Sequence, residues 1–286
     1  MSDLHTRAAG FLARQARLLE QRLYATLFEG APAAGVVEAL RGYQNEDGGF
    51  GHGLEPDKRC PASQPLDVQV ALETLVAAGA SDAAMLQRAC DYLAAVGPEG
   101  GVPCVLPSIA AYPRAAHWGD GDFPPGLNPT AAIVGLLHAL GVQHPWLDTA
   151  TDFCWRELDR ELPQDAHGLA VTFGFLEHVP DRRRAEALAG PVAAQLPHAT
   201  LYLADADAEG YGLTPLAFAP TPDSPWRQLF DDAQIEAHLD RLERDQQADG
   251  GWPVTWQPPS EASLLEWRGI VTLAALRTLT AYGRLG

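Results

Sequence analysis

The sequence predicts an all-α protein of about five to six helix hairpins, arranged as inner and outer helix rings or as an open solenoid. Three observations carry the prediction. Apolar residues recur at helical spacing along most of the chain, and strand signals are almost absent. A phrase reading Q-x-x-D-G-G-aromatic occurs near each end, from Gln44 to Phe50 and from Gln246 to Trp252, and such recurrence marks a repeating structural unit. A second phrase, Gly-Leu-x-Pro, runs from Gly53 to Pro56, Gly126 to Pro129 and Gly212 to Pro215, each time ahead of a predominantly apolar helix.

The first element is a long amphipathic helix over 8–27, where Phe11, Leu12, Leu18, Leu19, Leu23 and Leu27 keep helical spacing with Arg14, Arg17 and Arg22 between them. Gly30-Ala31-Pro32 separates it from a helix over 33–43, which ends in the first Q-x-x-D-G-G phrase. Paired glycines suit a helix-terminating turn because they take the positive φ that other residues resist. A Gly- and Pro-rich loop over 51–64 leads to helices over about 65–78 and 82–95. The second of these runs into Pro98-Glu99-Gly100-Gly101-Val102, a degraded echo of the phrase. The longest irregular segment, 102–127, follows. Asn128-Pro129 then opens an apolar helix, with Asn128 as N-cap and proline at the first helical position, where its missing N–H is no loss. Further helices span roughly 146–161, 166–179 and 182–196, and Thr214-Pro215 repeats the cap-and-proline device. A half-solvated helix over 231–247 ends in the second phrase, and a buried one over 261–282 closes the chain.

With 286 residues, 47% of them hydrophobic, the chain can bury one large core, and the repeats predict a single domain over 1–286. The net charge of −17, with Lys58 the only lysine, opposes binding to nucleic acid. The N-terminus lacks a basic stretch followed by an apolar one, and no run of about eighteen apolar residues occurs. These features predict a cytoplasmic protein without an integral membrane segment. Cys60, Cys90, Cys104 and Cys154 are scattered without CxxC spacing, which predicts reduced, mostly buried thiols.

Gln44 to Phe50 and Gln246 to Trp252 resemble the QW repeat of the squalene–hopene cyclase and protein prenyltransferase β-subunit superfamily. The resemblance implies an α/α toroid whose inner-helix N-termini and their loops line a central cavity. It also implies an enzyme acting on a hydrophobic, isoprenoid-class substrate, with magnesium if that substrate is a diphosphate and with a partner subunit possible. The departures matter. Asp205-Ala206-Asp207-Ala208 matches only half of the DxDD proton-donor motif. Asp57 and Cys60 lack the spacing of the prenyltransferase zinc ligands, so no metal site is assigned.

Candidate site residues follow the glycine turns. His52, Glu55, Asp57, Lys58 and Arg59 crowd both charge signs just ahead of an apolar helix, and Asp67 lies in its first turn. Glu55, Asp57 and Asp67 are the acid–base candidates, because desolvation of such a carboxyl suits it to proton transfer. His52, Arg59, Trp118, Asp120, Asp122, Asn128, Trp256, Glu266 and Trp267 are the candidate substrate contacts, the tryptophans as π surfaces and Asp120 and Asp122 as a possible hard-cation pair. Asp47 and Asp249 are expected to brace their turns. A carbohydrate-active toroid of glycosidase, lyase or epimerase type remains an alternative, since two carboxylates and an aromatic platform also suit sugars. So does a toroid that binds a ligand without catalysis.

Overall fold

The computed structural model describes residues 3–285; Met1, Ser2 and Gly286 lie outside it. The described residues form helices α1 (Asp3–Gln15), α2 (Leu18–Phe28), α3 (Ala34–Arg41), α4 (Pro65–Ala78), α5 (Ala83–Val96), α6 (Leu127–Ala139), α7 (Pro145–Arg160), α8 (Ala166–His178), α9 (Arg182–Ala193), α10 (Pro215–Phe218), α11 (Asp232–Arg244) and α12 (Glu261–Ala281). Strand-like pairing among these residues is limited to isolated bridges such as Lys58 with Arg114. No helix among them is long and apolar enough to cross a membrane.

Packing follows the alternation of amphipathic and apolar helices. α2 packs on α4, α4 on α6, α6 on α8 and α8 on α10. From α10 the contacts pass through α11 to α12, and α12 packs back onto α1 and α2. The order of contacts therefore returns to its start. The α6–α8 contact is close because Gly135 faces the Gly174 carbonyl, where an added Cβ would sit 2.7 Å from the oxygen.

The glycine phrases dock each turn onto the next amphipathic helix. Gln44 Nε2 donates to the Gly48 carbonyl at 2.9 Å and to the Met85 carbonyl of α5 at 3.0 Å. Gln246 Nε2 does the same at Gly250 (2.9 Å) and at Leu4 of α1 (2.8 Å). Asp47 and Asp249 each accept from the backbone N–H two residues on, at 3.0 and 3.1 Å, so both brace their turns. A Cβ on Gly48, Gly100 or Gly250 would meet the carbonyl oxygen of Arg88, Thr149 or Arg7 at 2.2, 2.5 and 2.2 Å respectively. The next glycine in each turn rests on an aromatic ring one helical turn further along, on Tyr92, Phe153 and Phe11. The degraded phrase at 98–102 is thus a third structural copy. Its missing glutamine is replaced from the other side, by Trp146 Nε1 donating to the Gly97 carbonyl at 2.8 Å.

Three expectations need correction. The helix expected over 8–27 breaks at Arg17 (φ −63°, ψ 160°), because the Arg17 guanidinium is drawn to Glu20 Oε2 (2.9 Å) and the Leu54 carbonyl (2.8 Å). The break lets α1 pack on α12 while α2 turns in to pack on α4. Asn128 has the extended backbone of a capping residue (φ −93°, ψ 117°) with Pro129 following it, but its side chain forms no cap bond. The Gly-Leu-x-Pro phrases are also unequal, since Pro56 lies in a turn well short of α4 and the helix after Thr214 is only the four-residue α10.

Candidate functional site

The loop ahead of α4 is buried rather than solvated, and its charges explain how. Lys58 is fully buried; its Nζ lies 2.9 Å from Glu55 Oε2 and 3.0 Å from Asp67 Oδ1. Asp67 Oδ1 also accepts the Glu55 backbone N–H at 2.6 Å. The chain's only lysine therefore joins the loop to the first turn of α4. Burial lowers the Lys58 pKa but the two carboxylates outweigh it, so the ammonium is held charged. Burial raises the Asp67 carboxyl to about 6, against Lys58 and the Glu55 N–H, which pull it down. A raised folded-state pKa means that Asp67 contributes stability fully below about pH 4, and that this is lost as pH rises through about 6. Urea titrations should accordingly show the advantage of wild type over Asp67→Asn shrinking as pH rises from about 4 to about 6; a constant difference would contradict the shift.

Asp57 differs from its neighbours. It is buried, yet no lysine or arginine neutralises it. Its carboxyl is gripped by two indoles, Trp267 Nε1 to Oδ1 at 2.8 Å and Trp256 Nε1 to Oδ2 at 3.0 Å. His117 Nε2 lies 3.9 Å from Oδ2, too far for a direct hydrogen bond. Burial, then the charge of Glu55, raises the Asp57 pKa; the two indoles and His117 oppose it. The result is a desolvated carboxyl in a fixed orientation with an exposed imidazole at its side. Beside it Arg59 is paired with Glu266 of α12, and the Trp256 and Trp267 rings meet edge to face at 4.9 Å. A pocket of about 320 Å³, lined by Trp256, Pro258, Pro259 and Leu264 together with Gln257, Ser260 and Glu261, shares the Trp256 ring with the cluster, while Asp57 and Trp267 lie outside its lining.

Glu55, Asp57, Asp67, Arg59, Trp256, Glu266 and Trp267 are therefore brought together. Glu55 and Asp67 are engaged by Lys58, which leaves Asp57 as the carboxyl free of a buried cation. The other candidates lie elsewhere. His52, exposed, bonds to Asn45 at 2.9 Å. Trp118 packs against a small core of Cys60, Val105 and Ile109, with the Phe123 ring 5.9 Å away. Asp120 pairs with Arg114 at 2.9 Å, Asp122 is exposed, and the Asn128 carbonyl accepts from Cys104 Sγ at 3.2 Å. Among the described residues no group of three or more His, Cys, Asp and Glu is arranged to hold a metal ion. Among the same described residues, Asp120 and Asp122 are not joined by a third acid, His or Cys in a cation-holding group.

Sequence reasoning did not single out His167 or Tyr211, which bond to each other at 2.7 Å. The signals were available. His167 occupies the first turn of α8 as Asp67 does that of α4, and Tyr211 stands directly before the third Gly-Leu-x-Pro phrase.

No family model and no curated protein matches the chain. The chain is similar in structure to a protein from Actinoplanes, known from its crystal structure, with 20% identity and a TM-score of 0.58 over 96% of this chain and 98% of that one. At that identity the likeness speaks to the fold alone.

Proposed function

We propose that the chain is a single α/α toroid and a cytoplasmic enzyme that uses Asp57 as its acid–base group on a hydrophobic, isoprenoid-class substrate. The toroid reading draws support from the closed order of helix contacts and from the three equivalent glycine docks. In it, α2, α4, α6, α8, α10 and α12 form the inner ring and the remaining helices the outer one. The observation that carries the function is the Asp57 carboxyl held by two indole N–H groups in a buried, aromatic setting. The two indoles fix its orientation without removing its capacity to exchange a proton. Trp256, Trp267 and the adjoining pocket of about 320 Å³ supply apolar surface for a hydrocarbon substrate.

A carbohydrate-active toroid is the second reading. It is favoured by the polar groups at the exposed side of the aromatic cluster, His117 and the Tyr211 hydroxyl.

The test is turnover on a panel of prenyl diphosphates, unphosphorylated polyprenes and oligosaccharides, read by mass spectrometry of the products. Wild type is expected to convert an isoprenoid. Asp57→Asn should lower turnover about a hundredfold; its Nδ2 sets a donor against an indole N–H, so stability should also fall by about 1–3 kcal/mol, and turnover is compared well below both unfolding midpoints. Conversion of oligosaccharides alone would move the assignment to the second reading, and full activity in Asp57→Asn would sink both.

A further inference from the structure

The groups on the open side of the Asp57 cluster have a geometry of their own. Tyr211 Oη lies 2.7 Å from His167 Nε2, and the two rings stack at 5.7 Å with an interplanar angle of 17°. The Tyr211 ring meets the Trp256 ring edge to face at 5.5 Å, and the Trp256 N–H donates to Asp57. One indole therefore separates the phenol from the carboxyl. Tyr211 is 40% exposed and Asp57 only 4%, so a ligand entering from solvent meets the phenol first and the carboxyl last.

Burial shifts both members of the pair toward their neutral forms. Burial, then Asp57 and Glu55, raises the Tyr211 phenol. Burial lowers the His167 imidazole; Asp165 opposes this and His117 adds to it. A neutral imidazole whose Nε2 carries no proton is an acceptor for the phenol hydrogen.

We propose that Tyr211 and His167 form a second proton-handling pair that faces Asp57 across the Trp256 indole, so that the site adds a proton at one substrate atom and removes one at another. The proposal rests on the acid–base reading of Asp57 given above. The Asp57 carboxyl gives its proton to one end of a substrate double bond, whose π electrons form the new C–H bond. An adjacent C–H bond breaks, its electron pair forms the relocated double bond, and its proton goes to Tyr211 Oη as the phenol hydrogen passes to His167 Nε2. One proton enters from Asp57 and one leaves to His167, so the substrate is isomerised with no net gain or loss of atoms. Exchange with solvent then restores both groups.

Two measurements test this. The first is ¹⁵N NMR of His167 in the full chain at pH 7, where an unprotonated Nε2 whose resonance moves in Tyr211→Phe is expected. A protonated Nε2 would overturn the proposal, because the phenol would then have nowhere to send its proton. The second is kinetics on whichever isoprenoid probe wild type converts. Tyr211→Phe and His167→Gln should each lower kcat about thirtyfold or more with KM within about twofold, and should suppress loss of deuterium from labelled substrate into water. An effect confined to KM would make Tyr211 a binding residue and overturn the proposal. If wild type converts no probe, the preceding reading of the substrate fails, and the state of His167 Nε2 decides the pair by itself.

Discussion

Lys58→Met is expected to destabilise the protein by about 3–5 kcal/mol, because it leaves Glu55 and Asp67 buried without their shared cation. The magnitude comes from the stranded carboxylates rather than from the strength of the lost pairs. The energy of desolvating two charges roughly offsets their mutual attraction, so the intact cluster adds little net stability while its half-dismantled form is costly. The same reasoning predicts rescue. A triple variant with Lys58→Met, Glu55→Gln and Asp67→Asn should recover most of the loss, since no formal charge then remains in the cluster. Urea unfolding of the single and triple variants distinguishes the two cases. Equal destabilisation in both would mean that the lysine matters for its packing and not for its charge.

Gly250→Ala should cost about 3 kcal/mol, with the effect concentrated on α1. Gly250 has φ +96°, which is costly for a residue with a Cβ. The added Cβ would also stand 2.2 Å from the Arg7 carbonyl oxygen, so the turn must back away from α1. Gln246 would then loosen its bond to the Leu4 carbonyl. Amide exchange should accelerate in α1 before it does in α4 or α6. Gly174→Ala is the matched control: Gly174 lies within helix α8 with no proline beside it, its Cβ would meet nothing within 4 Å, and its φ is not positive. That change should be neutral or stabilise by up to about 1 kcal/mol. Similar losses at both positions would show that helical glycines in general, and not the docking contact, set the stability.

Much of the helical content was legible because it follows from local patterns. α4 begins and ends where proline and glycine place it, at Pro65 and before Gly79, and α5 starts one residue after its Asp82 cap. The break at Arg17 was not legible, because an unbroken amphipathic pattern runs through it. Only the Leu54 carbonyl and α12, distant in sequence, favour two helices over one. Asn128 misled for the same reason: Asn-Pro is a sound capping signal, but nothing in the dipeptide fixes where the side chain will point.

The sequence by itself determined that the chain is helical, where its glycine turns fall, and that acids gather ahead of α4. Periodicity, turn chemistry and composition act over a few residues, so a linear reading captures them. Only the tertiary structure decided which of those acids is left without a buried cation. Glu55, Asp57 and Asp67 look alike in the sequence, and their environments separate them. Lys58 takes two of them from within the same loop, and tryptophans about two hundred residues away take the third. A carboxyl's role is set by what lies within about 4 Å of it, and the chain brings those neighbours together only by folding.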